Sequence, residues 1–540
     1  MNSANAKLTA LGLERFKSFK GSTRIGLAPL TIVVGRNNSG KSTLIQSLLL
    51  LRQTLADPRP NVTLRLEGVF EAFGLREITF GHPPQAPRVE GPVIELEWES
   101  DVDIESALSS ALDPDKDNLA KHSGITWLKD PPRKKTLRTS IKIFTAECEG
   151  AAQIESIELR SWEENASSPE NDEKSPPDIR LLKKDGVWVC LWKEKLSTRI
   201  QVELDHFIPY LQIDRGAVGP RDKERAWHNA YMILFAQPLE ALKDLLTEMH
   251  YLGSLRQPPP SLFKIATTAP SEIGASGELA AQLLHRRQGD IVHFLPPVDV
   301  GSSFVGTSDT VLGRPMVVAV NDILDALSIK ESLRLEEIKD VGFRLLFGDA
   351  SLLHVGRGLS YLLPLVELGL FSDPLRFSGR EGDMSLAEYR EKCRSFSHIA
   401  LEEPEAHLHP KVASRLAHWV VSLARANRRL IVETHSDHLV RRLRGLAARA
   451  GAGSEIESWL LENVIVLSVE QDDEGLSRVA TSRLTAEGGV EETWPADFMD
   501  ESSDEESAIY YARLKKVDRI SDGPPVQMRE GAEPESDVAP

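Results

Sequence analysis

The chain has 540 residues, 41% hydrophobic and 27% charged, with a formal net charge of −17. Such a length exceeds one typical domain, so two lobes or a core with large insertions is expected. The acidic balance excludes a protein coated in non-specific DNA-binding charge, though not a local basic stripe.

Cys148, Cys190 and Cys393 lie far apart with no C-x-x-C pair, the pattern of reduced thiols and not of a disulfide frame or zinc site. Met1–Leu13 has no long apolar stretch, and apolar runs such as Leu48–Leu51 are too short to span a bilayer. A soluble, cytoplasmic protein without membrane partners is the expectation.

In chain order, Leu8–Leu13 and Leu30–Val34 read as strands, the second a continuous apolar run of the buried kind. A helix starts near Lys41, with Leu44, Ile45, Leu48, Leu49 and Leu51 on its apolar face, and Pro58 and Pro60 end it. From about Pro83 to Asp130 the pattern weakens. Thr136–Glu147, Gln153–Arg160, Gly186–Trp192 and Thr198–Leu204 then read as an antiparallel meander, interrupted by a loop of solvated composition at Glu163–Asp178. Ala226–His250 reads as a helix and Tyr251–Pro260 as a punctuating stretch.

Helical patterns resume at Ser276–Arg286, Val318–Leu327 and from Leu359, before a loop at 372–384. The strand His398–Leu401, the helix Lys411–Ala426 and the strand Arg429–Glu433 follow, then a basic helix at Leu439–Arg449. Val464–Val469 and Arg478–Leu484 resemble a hairpin about Asp472–Gly475, and the acidic tail is expected to be disordered beyond Ser521.

Gly35-Arg36-Asn37-Asn38-Ser39-Gly40-Lys41-Ser42, followed by Thr43, matches G-x-x-x-x-G-K-[ST]. Cradling a triphosphate needs inward backbone N–H groups, which glycine permits, a cation for the β/γ-phosphates (Lys41) and a hydroxyl for Mg²⁺ (Ser42). Far along the chain, Leu401-Glu402-Glu403-Pro404-Glu405 ends a strand in acids, one for a metal shell and one to polarise water. Leu430–Ser436 (LIVETHS) then sets His435 directly after a buried strand, within reach of such a site.

The order of these three elements, with the opening LGLERFKSF, resembles the ABC-type ATPase heads of the RecF/SMC/OLD group. YLGSLR at 251–256 and VEETWPADFMDE at 490–501 are similar to stretches of bacterial AAA-family, OLD-like ATPases with a small C-terminal domain of unknown function. The resemblance covers roughly residues 7–82 and 250–500. It implies an α/β fold: a P-loop NTPase of ABC-ATPase-head type with an antiparallel β and helical insertion between its P-loop and Walker B halves. The expected divisions are 1–82 and 251–450 for the ATPase core, 83–250 for the insertion, 451–520 for a small C-terminal domain and 521–540 for a disordered tail.

By position, the resemblance makes Glu402 the Walker B metal-shell acid, Glu403 the catalytic glutamate and His435 the switch histidine. Glu405–His409 would be a D-loop meeting the opposite subunit. Val355–Ser360 stands at the signature sequence, with Arg357 where the family more often has an aromatic and Tyr361 where it has Gln. Ser360 would address a partner's ATP in trans, because one P-loop and one signature in a chain imply a head-to-tail homodimer closing on two ATPs. The Q-loop has no assignment, and Gln46 reads as structural.

A nuclease is not expected. Glu470–Glu474 falls in the hairpin turn and lacks the later D-x-D of two-metal chemistry, and His407 and His409 form no H-N-H pattern. The arginines of the 438–449 helix read as a solvated, intersubunit or nucleic-acid-facing surface. The implied function is an ATP-hydrolysing dimer switch, with ATP and Mg²⁺, working in antiphage defence with a separately encoded nuclease or other effector. The alternatives are a DNA-binding repair or maintenance ATPase of RecF/SMC type and an ATP-dependent scaffold with little turnover.

Overall fold

The computed structural model describes residues 6–491, apart from 61, 112–115, 124–125, 164–177, 215–218, 220, 266, 269, 298–308, 377, 380 and 394. The expected tail beyond Ser521, the acidic stretch Asp497–Glu506, nearly all of the 490–501 stretch and most of the 163–178 loop lie outside the described residues.

Two sheets carry the architecture. The six-stranded sheet runs His250–Leu252, Ser397–Glu402, Arg428–Glu433, Leu30–Val34, Val464–Gln471, Ser477–Arg483; all pairings are parallel except the last. Leu30–Val34 is buried at every residue, as a strand in the middle of a covered parallel sheet must be. The eight-stranded sheet is antiparallel and starts from Thr23–Gly26 and Ala6–Glu14, continuing through Arg88–Asp103, Lys134–Cys148, Ala151–Glu163 and three shorter strands to Lys195–Leu196.

Helix Lys41–Leu55 shares one hydrophobic core with both sheets: Leu44, Ile45 and Leu48 cluster with Leu96 and Trp98 of one and with Val33 and Leu467 of the other. Twelve of its fifteen residues are buried, so its apolar surface extends well beyond a single stripe.

Several expectations change here. Arg88–Asp103, in the stretch where the pattern was expected to weaken, is a sixteen-residue strand. Its Val93-Ile94-Glu95-Leu96-Glu97-Trp98-Glu99 alternates apolar and acidic residues at the strand period. The acids are met across the sheet: Glu97 by Arg24, Glu99 by Arg138 and Glu95 by Lys142. Because this strand pairs with Ala6–Glu14, the 83–250 segment shares a sheet with the chain's first strand.

The helix expected at Ala226–His250 begins at Lys223, capped by Asp222, passes through a π-turn at Met232–Ala236 and ends at Thr247. His250–Leu252, expected to be helix end and punctuation, is instead the edge strand beside Ile399–Leu401. The hairpin at 464–483, expected in a small C-terminal domain, completes the central sheet against Leu30–Val34. Local sequence cannot reveal that parallel partner.

Helix Arg357–Phe371 packs closely on Pro410–Arg425, where Gly369 leaves no room for a side chain against Trp419 and Leu423. Within it Glu367 is fully buried and neither carboxyl oxygen has a hydrogen-bond partner. Burial pushes this carboxyl well above the ordinary range. A carboxyl raised in the fold gives stability that is whole below its unfolded value, about 4.3, and is lost as pH rises through the folded value. Glu367→Met should therefore stabilise the protein by about 1–3 kcal/mol near neutral pH and flatten the fall in melting temperature as pH rises. Melts across pH would check both effects.

Candidate functional site

The loop between Leu30–Val34 and helix Lys41–Leu55 is fixed by backbone that only glycine tolerates. Gly35 has φ +149°, and a Cβ there would lie 2.2 Å from the Val469 carbonyl oxygen. At Gly40, φ +97°, it would lie 2.5 Å from the hydroxyls of Ser18 and Ser477. Ser477 also donates its hydroxyl to the Ser39 carbonyl (2.5 Å) and its N–H to Ser18 (2.9 Å). The C-terminal hairpin thus buttresses the loop. Arg36, Asn37 and Asn38 are exposed at its tip, and the helix starts at Gly40 without a side-chain cap, leaving its first N–H groups for an anion.

Lys41 is buried, and its ammonium donates to the carbonyls of Gly35 (2.9 Å) and Arg36 (2.5 Å). Burial lowers its pKa, against the opposing pull of Glu433 and Glu403. Ser42 Oγ donates to Glu433 Oε1 at 2.8 Å, a contact spanning most of the chain. Thr43 is buried at the start of the helix.

Glu402 and Glu433 are register partners at the C-terminal ends of adjacent parallel strands. Glu402 bonds the Tyr251 hydroxyl and the Ser254 N–H; burial, then the charge of Glu433, raises its pKa to about 7. Glu405 accepts from Thr434 Oγ1 (2.7 Å) and the His435 N–H (3.1 Å). Burial also raises Glu405 and Glu433, and the second carboxyl oxygen of each is buried without a partner.

Glu403 has φ +43°, in the left-handed region, a conformation that costs a non-glycine residue energy and concentrates at functional sites. Its N–H bonds the Glu433 carbonyl (2.8 Å), and its own carbonyl accepts from Arg256 (3.2 Å). The side chain reaches open solvent with His435 Nε2 3.7 Å from its Oε1. Burial, then the charge of Lys41, lowers the pKa of His435.

The structure therefore gathers Gly35–Thr43, Glu402, Glu403 and His435 at one edge of the sheet. Ser360 is different: it is buried, and its hydroxyl turns back onto the Arg357 carbonyl (2.9 Å), leaving Gly356 and Arg357 exposed at that helix start. The 405–409 segment packs within the chain as well. A Cβ on Gly358 would sit 2.8 Å from the His407 carbonyl oxygen, and His409 accepts from the Lys411 N–H in starting helix Pro410–Arg425.

Gln46 accepts from Lys17 (2.6 Å). Asp472 closes the hairpin turn and meets Arg478. Three arginines of helix Asp437–Arg449 are engaged within the chain, Arg441 with Asp437, Arg442 with His418 and Arg444 with Gly488.

Three residues of the candidate site escaped the sequence reading. Glu433 holds the Ser42 hydroxyl, Tyr251 holds Glu402, and Arg256 joins the Glu403 carbonyl to the Tyr361 carbonyl (2.8 Å). The acid in IVETHS was a visible signal for the first.

The carboxylates give a test for a divalent cation. Several acids are pushed upward by burial and mutual repulsion, and two of their oxygens are unpaired, which is a local deficit of positive charge that fits Mg²⁺. Among the described residues no three His, Cys, Asp or Glu side chains form a metal-binding group by themselves. Such an arrangement suits an ion that also takes substrate phosphates as ligands. Glu433→Ala should weaken Mg²⁺-dependent ATP binding by roughly 10–100-fold, the range for a residue that orients a metal ligand, with metal-free nucleotide binding unchanged. Calorimetry with and without EDTA distinguishes this from a general loss.

Residues 30–147 and 354–441 match the family described as "AAA domain, putative AbiEii toxin, Type IV TA system". No curated protein sequence matches. Similar solved structures include an SMC head bound to the C-terminal winged-helix domain of ScpA, at 12% identity and TM-score 0.35, covering 88% of this chain and 98% of that one. The SMC head domain from Thermotoga maritima has the same identity and coverage, with TM-score 0.32. An Smc head with an extended coiled coil, bound to the C-terminal domain of ScpA and derived from Pyrococcus furiosus, has 12% identity and TM-score 0.36, covering 88% and 96%.

Proposed function

Taking the chain as an ATPase head of the AAA and ABC kind, we propose that it binds and hydrolyses ATP as a nucleotide-driven homodimer switch, the ATPase component of an antiphage defence system whose effector is a separate protein. The observation that carries the reading is the convergence of Lys41, Ser42, Glu402, Glu403 and His435 on one sheet edge beside an uncapped helix start. The defence role is supported by the matching family's description, which names a toxin and a toxin–antitoxin system.

In this reading the loop N–H groups and Lys41 bind the triphosphate, and Glu403 accepts the proton of the attacking water. His435 orients that water or the γ-phosphate. Ser42 and Glu402 would hold Mg²⁺, which when bound supplies charge to neutralise the phosphate oxygens. The partner subunit closes the site through the exposed helix start at Gly356 and Arg357. Arg256 ties that helix to Glu403, so closure and hydrolysis act on one connected unit.

The test is gel filtration of the wild-type protein with and without a non-hydrolysable ATP analogue, beside a phosphate-release assay. The reading expects a nucleotide-dependent shift from monomer to dimer together with steady phosphate release. Turnover by a strict monomer would sink the dimer switch. Dimerisation without turnover would favour a scaffold.

A further inference from the structure

At the end of the central sheet opposite the nucleotide loop lies a cavity of about 600 Å³. It is walled by the start of strand Arg428–Glu433, the end of helix Pro410–Arg425, helix Glu455–Asn463 and the flank of the eight-stranded sheet. Six strand residues, roughly 16 Å, separate its floor from Glu433, so it is distinct from the P-loop site.

Its lining is unusual for a chain of net charge −17: seven lining side chains are Lys or Arg and one, Glu99, is acidic. Part of this charge is met. Arg24 forks onto Glu97, Arg138 onto Glu99, and Arg425 reaches Asp309 at 2.7 Å. Arg390 and Arg429 have no carboxylate in ion-pair range among the described residues, and their guanidinium groups donate to the backbone carbonyls of Arg425 and Leu8. Burial lowers the pKa of both, to about 10 for Arg429. In the wall, Arg425 Nε and Nη1 and Arg428 Nε are buried without an acceptor. Cations held out of water and incompletely paired are costly, and an anion is what would offset that cost.

The volume falls in the range of small-molecule sites, about 300–1,000 Å³, and suits a compact ligand. Half-buried Trp459 and Phe396 add ring faces, and Asn427 and Asn463 add amide groups to the same wall. Cations for phosphate, aromatic faces for a planar ring and amides for its edge are the complement of a nucleotide.

We propose that this cavity is a second ligand site, separate from the P-loop, that takes a small phosphorylated molecule of nucleotide size. Inorganic tripolyphosphate is the probe, titrated calorimetrically into full-length Lys41→Ala protein so that the P-loop does not contribute. Saturable binding is expected, weakened about tenfold or more by adding Arg138→Gln and Arg390→Gln. The same two changes in a chain with Lys41 intact should leave ATP binding at the P-loop unchanged, so failure here is separable from failure of the ATPase reading. Lys7→Gln, at a partly exposed side chain, is the second variant should the double change lower the melting temperature. It is expected to weaken the probe without a stability loss. The proposal is overturned by no saturable binding in the Lys41→Ala protein, by equal affinity in the arginine and Lys7 variants, or by a short DNA duplex that needs the same arginines and displaces the probe.

Discussion

Glu403→Gln is expected to bind ATP with an affinity within about threefold of wild type and to lose turnover by roughly 10²–10⁴-fold, the range for removing a general base. The backbone of Glu403 is held between the Glu433 carbonyl and Arg256, so the strained φ does not depend on the side-chain charge. The glutamine keeps the shape and one acceptor but cannot take a proton. Because His435 stands 3.7 Å from the carboxylate, its orientation changes little. ATP should then trap the closed dimer, visible as a persistent shift on gel filtration. Normal hydrolysis by this variant would move the base to another group and refute the assignment.

Lys41→Ala should reduce ATP affinity by about a hundredfold or more, since charge-assisted hydrogen bonds to a phosphate are worth about 1.5–3 kcal/mol each. The ammonium donates to two loop carbonyls, which water or neighbouring N–H groups can serve in its absence. Melting temperature without nucleotide should change little, while the part of the ATP stabilisation that comes from the P-loop should vanish. Any ATP-dependent rise in melting temperature that survives in this variant should be removed by adding Arg138→Gln and Arg390→Gln.

The parts of this fold that could be read in advance are those whose signal is local. Leu30–Val34 is a buried run, apolar but for Thr31, followed by a loop fixed by two glycines, and Ser397–Glu402 and Arg428–Glu433 are largely buried strands ending in the residues of interest. What escaped depended on partners distant in sequence. Arg88–Asp103 carries Glu95, Glu97 and Glu99 on one face, and they make sense as a strand face only beside Lys142, Arg24 and Arg138. His250–Leu252 has three residues and becomes a strand through its neighbour at Ile399–Leu401. At the site, Lys41, Ser42, Glu403 and His435 carry motif spacing. Glu433 becomes meaningful only when its strand sets it against Ser42, and Arg256 only when Glu403 and Tyr361 converge on it.

The hairpin that braces the loop has a consequence for how the protein is made. A ribosome makes Gly35–Ser42 about four hundred residues before Glu433, which stands at the front of the loop, and before Val469 and Ser477 at its back. Over that interval of translation the emerging polypeptide carries the motif without these contacts. Competence arrives late and all at once, when the hairpin docks beside Leu30–Val34. Pairing at so large a separation is slow to form, so the newly synthesised lobes must persist for a time without their nucleotide. Pulse-labelled chains should gain ATP-dependent protease resistance only after residue 477 has left the exit tunnel.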